Sequence, residues 1–121
     1  MFASMHELSL AQSLVEQILE AASAEGATHV TRVVVAMGPY SGVDKSAFEF
    51  AFPIAAEGTL MEGAALVIED RPATIDCSIC HTSAPAHPSQ PRCPHCGSDR
   101  VTIKGGHEFL IREVELHIAE D

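Results

Sequence analysis

The stretch that decides the fold is Cys77-Ser78-Ile79-Cys80-His81, followed after a gap of twelve residues by Cys93-Pro94-His95-Cys96-Gly97. Two Cys-x-x-Cys knuckles supply four thiolates, enough for a closed tetrahedron around Zn²⁺ with Zn–S near about 2.3 Å. The gap is slightly short for this kind of ribbon, but a tight hairpin spans it. Gly97 suits the turn of a knuckle, where backbone amides swing toward sulfur. A shell of four sulfurs leaves no open position, so the reading is a structural zinc site on Cys77, Cys80, Cys93 and Cys96. Cys77 to His81 also spells the c-type haem attachment pattern, and either pair alone resembles a redox dithiol. Neither alternative uses all four sulfurs at once. His81 and His95 flank the knuckles; either could replace a thiolate as ligand, in acid for example, and surface histidines are the favoured reading. His29, His87, His107 and His117 have no partner at ligand spacing and read as structural or solvated.

Around the cysteines, residues from Pro72 to Lys104 hold five of the seven prolines and little regular periodicity. Outside that segment the pattern becomes orderly. From about His6 to Glu25, Ala11, Leu14, Val15, Ile18 and Ala22 recur at the three-and-four spacing of one helix face, and Gly26 fits a left-handed cap. Val30 to Met37 is apolar and β-branched, a buried strand ended by Gly38 and Pro39. A second helix begins near Val43 or Asp44, with Asp44 or Ser46 as cap and Ala47, Phe48, Ala51, Ile54 and Ala55 as its apolar face. Pro53 is expected to kink or split it. Ala65 to Asp70 reads as a second strand. Phe109 to Ile118 reads as a third, with Leu110, Val114, Leu116 and Ile118 sharing one side. The expected class is α+β: two helices packed on a small three-stranded mixed sheet, with an inserted zinc-ribbon module. Residues 1–71 and 105–121 form the first domain, and 72–104 the zinc-binding domain.

Composition narrows the partners. Seven Lys and Arg against seventeen Asp and Glu give a net charge of −10, a poor surface for phosphate-rich nucleic acid. A zinc-ribbon interaction or nucleic-acid adaptor is the alternative function, and this charge disfavours its nucleic-acid form. No apolar run reaches the roughly 18–20 residues of a membrane span. The first ten residues lack the basic and apolar regions of a signal peptide, so a cytoplasmic location is expected. Gly38 to Ser46 has the outline of a phosphate loop, yet Pro39 lacks an amide donor and Asp44 repels phosphate. No Ser-His-Asp or Cys-His nucleophile arrangement is present, so no catalytic residue is expected.

Met5-His6-Glu7-Leu8-Ser9 is an unusual helix opening. A histidine second from a free amine chelates through the amine, its own amide nitrogen and the imidazole, and the Glu7 amide completes a plane. Planar nitrogen donors favour Ni(II) or Cu(II) over zinc. Taken alone, the His-Glu pair is a weak signal, and a solvated helix start is the favoured reading of it.

Together, Met5 to Leu10, Ser41-Gly42-Val43, Gly58-Thr59, Glu62-Gly63-Ala64, Pro72-Ala73, the two knuckles and Gly106 to Ile111 resemble the HypA/HybF nickel-incorporation family in order and spacing. The resemblance implies a nickel metallochaperone, not an enzyme, for [NiFe]-hydrogenase maturation. Ni²⁺ would be its cargo and Zn²⁺ its structural metal. It implies work with a HypB-type nickel GTPase and the hydrogenase large-subunit precursor, as a monomer or weak homodimer, without nucleic acid or membrane. Some relatives also serve urease. Carried over by position, His6 is the nickel-binding histidine and Glu7 its companion. Met5 supplies the amine, and Asp44 is a nearby acidic position. Because Met1 to Ser4 precede Met5 in this chain, a free amine beside His6 requires a chain that starts at Met5; that start is the expectation, and a different mode of nickel binding is the alternative.

Overall fold

The computed structural model describes residues 5–86 and 91–119. Two helices and six strands follow one another as α1 (Met5–Ala24), β1 (Ala27–Met37), α2 (Lys45–Ala56), β2 (Ala65–Asp70), β3 (Thr74–Cys77), β4 (Ser83–Pro85), β5 (Val101–Lys104) and β6 (Phe109–Ile118). The strands form two three-stranded sheets, ordered β2-β1-β6 and β4-β3-β5. The α+β class is as expected, and the cysteine segment is inserted between two strands of one sheet. The described residues up to 35, with 43–68 and those from 111 onward, make one compact unit, and 36–42 with 69–110 make a second.

In the first unit, α1 buries the expected stripe of Ala11, Leu14, Val15, Ile18 and Ala22. α2 buries Phe48, Ala51, Phe52 and Ala56 and packs against α1. Its start is capped by Asp44, whose Oδ1 accepts from the Ala47 N–H at 2.9 Å, satisfying a first-turn amide that has no helical acceptor. Contrary to expectation, Pro53 does not split α2. Its missing N–H leaves the Glu49 carbonyl without a helical donor, but both residues are exposed, so water can serve that carbonyl.

β1 is the middle strand, and Val33, Val34 and Val35 are buried in succession. Consecutive burial means both faces are covered, which explains the unbroken valine run. Thr31 contacts Glu115, Arg32 contacts Glu113, and the Gly38 N–H donates to the Glu108 carbonyl. One number rises as the other falls, so β6 runs antiparallel to β1. On the other edge, Val30 N–H donates to the Leu60 carbonyl and Arg71 N–H to the Met37 carbonyl. These rise together, so β2 runs parallel, with α2 in the crossover. The sheet is mixed.

The alternation expected of β6 holds for only part of the strand. Val114 and Leu116 are half-buried, but Leu110 and Ile118 are about half exposed, at 47% and 50%. Phe109 and Ile111 take the covered positions at the strand's start, and the phase reverses across the exposed pair Arg112-Glu113. β6 also passes from the second unit into the first at residue 111, so its two ends serve different surroundings.

Candidate metal centre

The second unit carries the cysteines. β3 pairs antiparallel with β4, Asp76 opposite Ser83, and with β5, Cys77 opposite Val101. The first knuckle is therefore the turn of the β3–β4 hairpin. Cys77 N–H donates to the Thr82 carbonyl at 3.0 Å, and His81 N–H returns to the Cys77 carbonyl at 3.0 Å. The amides of Ile79 and Cys80 point at Cys77 Sγ, at 3.4 and 3.5 Å. The second knuckle repeats the backbone pair, with Cys93 N–H donating to the Ser98 carbonyl at 2.9 Å and Gly97 N–H to the Cys93 carbonyl at 2.8 Å.

All four sulfurs lie within 4.8 Å of one another. Cys77 and Cys96 stand 3.6 Å apart, and Cys80 and Cys93 3.5 Å. These separations are far beyond a disulfide of about 2.05 Å. They suit four sulfurs on one tetrahedral ion, where a metal–sulfur bond of about 2.3 Å puts sulfurs about 3.8 Å apart. The donor chemistry agrees. The Thr82 hydroxyl, 3.2 Å from Cys80 Sγ, leads the hydrogen bonds that bring the Cys80 thiol down to about 6 against the effect of burial. The Ser98 amide favours the Cys96 thiolate, yet desolvation and the sulfurs of Cys77, Cys93 and Cys80 push that thiol up to about 12. Such a split arises when negative sulfurs crowd together without a cation, and a bound dication removes the conflict. Beside the cluster, Lys104 first and Ser83 second hold the Asp76 carboxyl below its ordinary range.

The knuckles share a backbone feature. Each residue just after the second cysteine has positive φ: 75° at Gly97 and 58° at His81. Glycine takes this left-handed conformation freely, whereas a side chain is penalised. His81 is thus in place as a turn residue. It is exposed, as is His95, and neither belongs to the four-donor cluster. His81→Val, β-branched at a left-handed position, is expected to lose about 1–2 kcal/mol relative to His81→Gly. Equal denaturation midpoints for the two metal-loaded variants would contradict this.

The other sequence-derived candidates lie in the first unit. Met5 opens α1, its side chain outside the described set. His6 is exposed in the first helical turn. Glu7 is the only charged residue among the buried ones described, 4% exposed, and its Oε2 accepts from the Asp44 N–H at 3.1 Å. The fold thus brings Glu7 and Asp44 together through a side chain and an amide, while the Asp44 carboxylate caps α2. One sequence signal for this burial was available: Glu7 continues the apolar stripe one turn ahead of Ala11. His107 Nδ1 lies 3.1 Å from the Tyr40 carbonyl, and His87 falls outside the described residues. His29 and His117, which look unpartnered in sequence, stack on each other.

A mixed-sheet α+β protein with an inserted zinc-ribbon-like four-cysteine module is the class that fold and site define. A sequence profile of the family described as "Hydrogenase/urease nickel incorporation, metallochaperone, hypA" matches residues 5–116. The hydrogenase maturation factor HypA of Rhodobacter capsulatus is 38% identical over 112 residues, covering 93% of this chain and 99% of that protein. HybF of Salmonella typhimurium is also 38% identical, with coverage of 93% and 99%. The solution structure of the Ni metallochaperone HypA from Helicobacter pylori superposes with a TM-score of 0.63 at 30% identity, covering 93% of this chain and 98% of that one. The chain belongs to the HypA family of nickel-incorporation metallochaperones and hydrogenase maturation factors, which are not catalysts. No helix among the described residues is long and apolar enough to cross a membrane.

Proposed function

We propose that this chain binds Ni(II) through His6 and passes it to the large-subunit precursor of a [NiFe]-hydrogenase, while Cys77, Cys80, Cys93 and Cys96 hold a structural zinc ion. Met5, Glu7 and Asp44 complete the nickel region. The transfer occurs in the cytoplasm with a HypB-type GTPase as partner, and residues 72–104 act as the zinc-binding domain.

The observation that carries the nickel assignment is the placement of His6. It is exposed in the first turn of α1, where backbone amides have no helical acceptor, so its amide and imidazole are both accessible to an ion. The adjacent Glu7, buried on the Asp44 amide, pins that turn to the start of α2. A site with few protein donors and open access to water exchanges its ligands readily, as delivery requires. Zinc is assigned to the cysteines because four sulfurs at these spacings close its preferred tetrahedron.

Ni(II) titration of the zinc-loaded protein tests this. His6→Ala should weaken nickel binding by about tenfold or more and leave the zinc content unchanged. A chain beginning at Met5 should bind more tightly and show a yellow square-planar absorption band. Unaltered nickel affinity in His6→Ala would end the assignment.

A further inference from the structure

The outer side of α2 carries apolar residues that the core does not use. Phe48, Ala51, Phe52 and Ala56 fill the buried side. Phe50 is nevertheless 58% exposed and Ile54 49%. They stand one helical turn apart, so their side chains form a single ridge. Glu49, Pro53 and Glu57 are exposed beside it. The Glu49 carbonyl, left without a helical donor by Pro53, belongs to the same side. Lys45 is the one basic residue of α2, and it lies about 140° around the helix from Phe50.

We propose that this face of α2 docks a basic amphipathic helix of a partner protein. The inference stands whether or not the nickel assignment does. A ridge of side chains four residues apart fits the groove between such ridges on another helix. Single apolar residues on a surface need no explanation. Here two neighbours share a face with three acceptors, the Glu49 and Glu57 carboxylates and the Glu49 carbonyl. Arginine or lysine flanking the partner's apolar stripe supplies the donors, and charge-assisted hydrogen bonds are the strong ones. Phe50 is the anchor, because an aromatic side chain desolvated at the centre of a contact carries much of its energy. A second copy is a poor occupant: two such faces would set Glu49 and Glu57 against their own counterparts. The net charge of −10 also repels a copy and draws in a basic segment.

The test uses a synthetic peptide of about 18 residues, long enough to form a helix on contact. It carries leucine at three-and-four spacing, flanked by arginine. Added to the zinc-loaded chain, it should shift the amide resonances of Ala47 to Glu57 first. Those around Glu16 and Glu20, exposed carboxylates of α1, should follow only at higher peptide concentration. Phe50→Ala, which puts a good helix former at an exposed site, should weaken binding by about tenfold or more. Glu49→Gln combined with Glu57→Gln should weaken it less and flatten its dependence on salt. The same peptide with glutamate in place of arginine should leave the spectrum unchanged. Amide spectra of the free variants establish that α2 is intact, and Ile54→Ala takes the place of Phe50→Ala if that variant fails. Shifts scattered over every acidic stretch, an affinity indifferent to Phe50→Ala, or self-association that Phe50→Ala abolishes would each overturn the proposal.

Discussion

Replacing Cys93 by serine, or stripping the metal with a chelator, is expected to abolish amide protection throughout β3, β4 and β5 while β1 keeps its own. The reason lies in what this unit has for a core. Its buried cluster is Ile75, Cys77 and Cys93, with Cys80, Ala84, Ala86 and Val101 packed half-buried around it. Two of the three buried side chains are thus proposed metal ligands. A fully buried isoleucine contributes about 1.5–3 kcal/mol, and strands of three or four residues have little cooperativity of their own. Structural zinc, by contrast, supplies about 10–16 kcal/mol of apparent binding free energy that is also folding free energy. Metal decides the outcome. Hydrogen exchange at Ile75 and Ile103, compared with Val33 and Val35, reads it directly. Equal protection at Ile75 with and without metal would show that the module folds by packing alone.

A second large effect is expected at Gly38. Its N–H donates to the Glu108 carbonyl at 2.8 Å, and the Tyr40 N–H donates to the Gly106 carbonyl at 2.6 Å, so two stretches of main chain run against each other. A Cβ built on Gly38 would fall on the Gly106 carbonyl. The obstacle is backbone and cannot rotate aside. Gly106 has no room to give way either, since a Cβ there would meet Ala73 Cβ at 2.7 Å. Overpacking that side chains can absorb costs about 1–3 kcal/mol. Gly38→Ala should therefore cost about 3 kcal/mol or more, read as a lower denaturant midpoint at unchanged slope. A midpoint close to wild type would mean that the two stretches separate at little cost.

Gly38 shows how far the sequence could be read. Beside Pro39 it marks the end of a strand, which is correct, but nothing local announces the main chain lying against it. What repeats locally was legible: the α1 stripe, the valine run of β1, and the paired knuckles with Gly97 behind them. β3, β4 and β5 were missed because three or four residues are too few to display a period of two, and the prolines around them read as loop. The reversal in β6 escaped because Leu110 and Ile118 are apolar residues that the fold leaves half exposed. His29 and His117 show no partner in the sequence because their stacking exists only after β6 is laid beside β1. Glu7 drew notice as a nickel companion, whereas its burial against the Asp44 amide depends on α2 arriving from far along the chain.

The position of the insertion has a consequence for biosynthesis. β1 is covered on one edge by β2, made before the cysteine segment, and on the other by β6, made after it. Until β6 arrives, one side of β1 is a row of bare amides and carbonyls, a ready template for another chain. A metal-starved segment leaves a long slack connection before β6, while a metal-loaded one shortens the effective loop that must close. On the proposed zinc assignment, a nascent chain that takes up its ion early is expected to stay open to clumping with its neighbours for a shorter time.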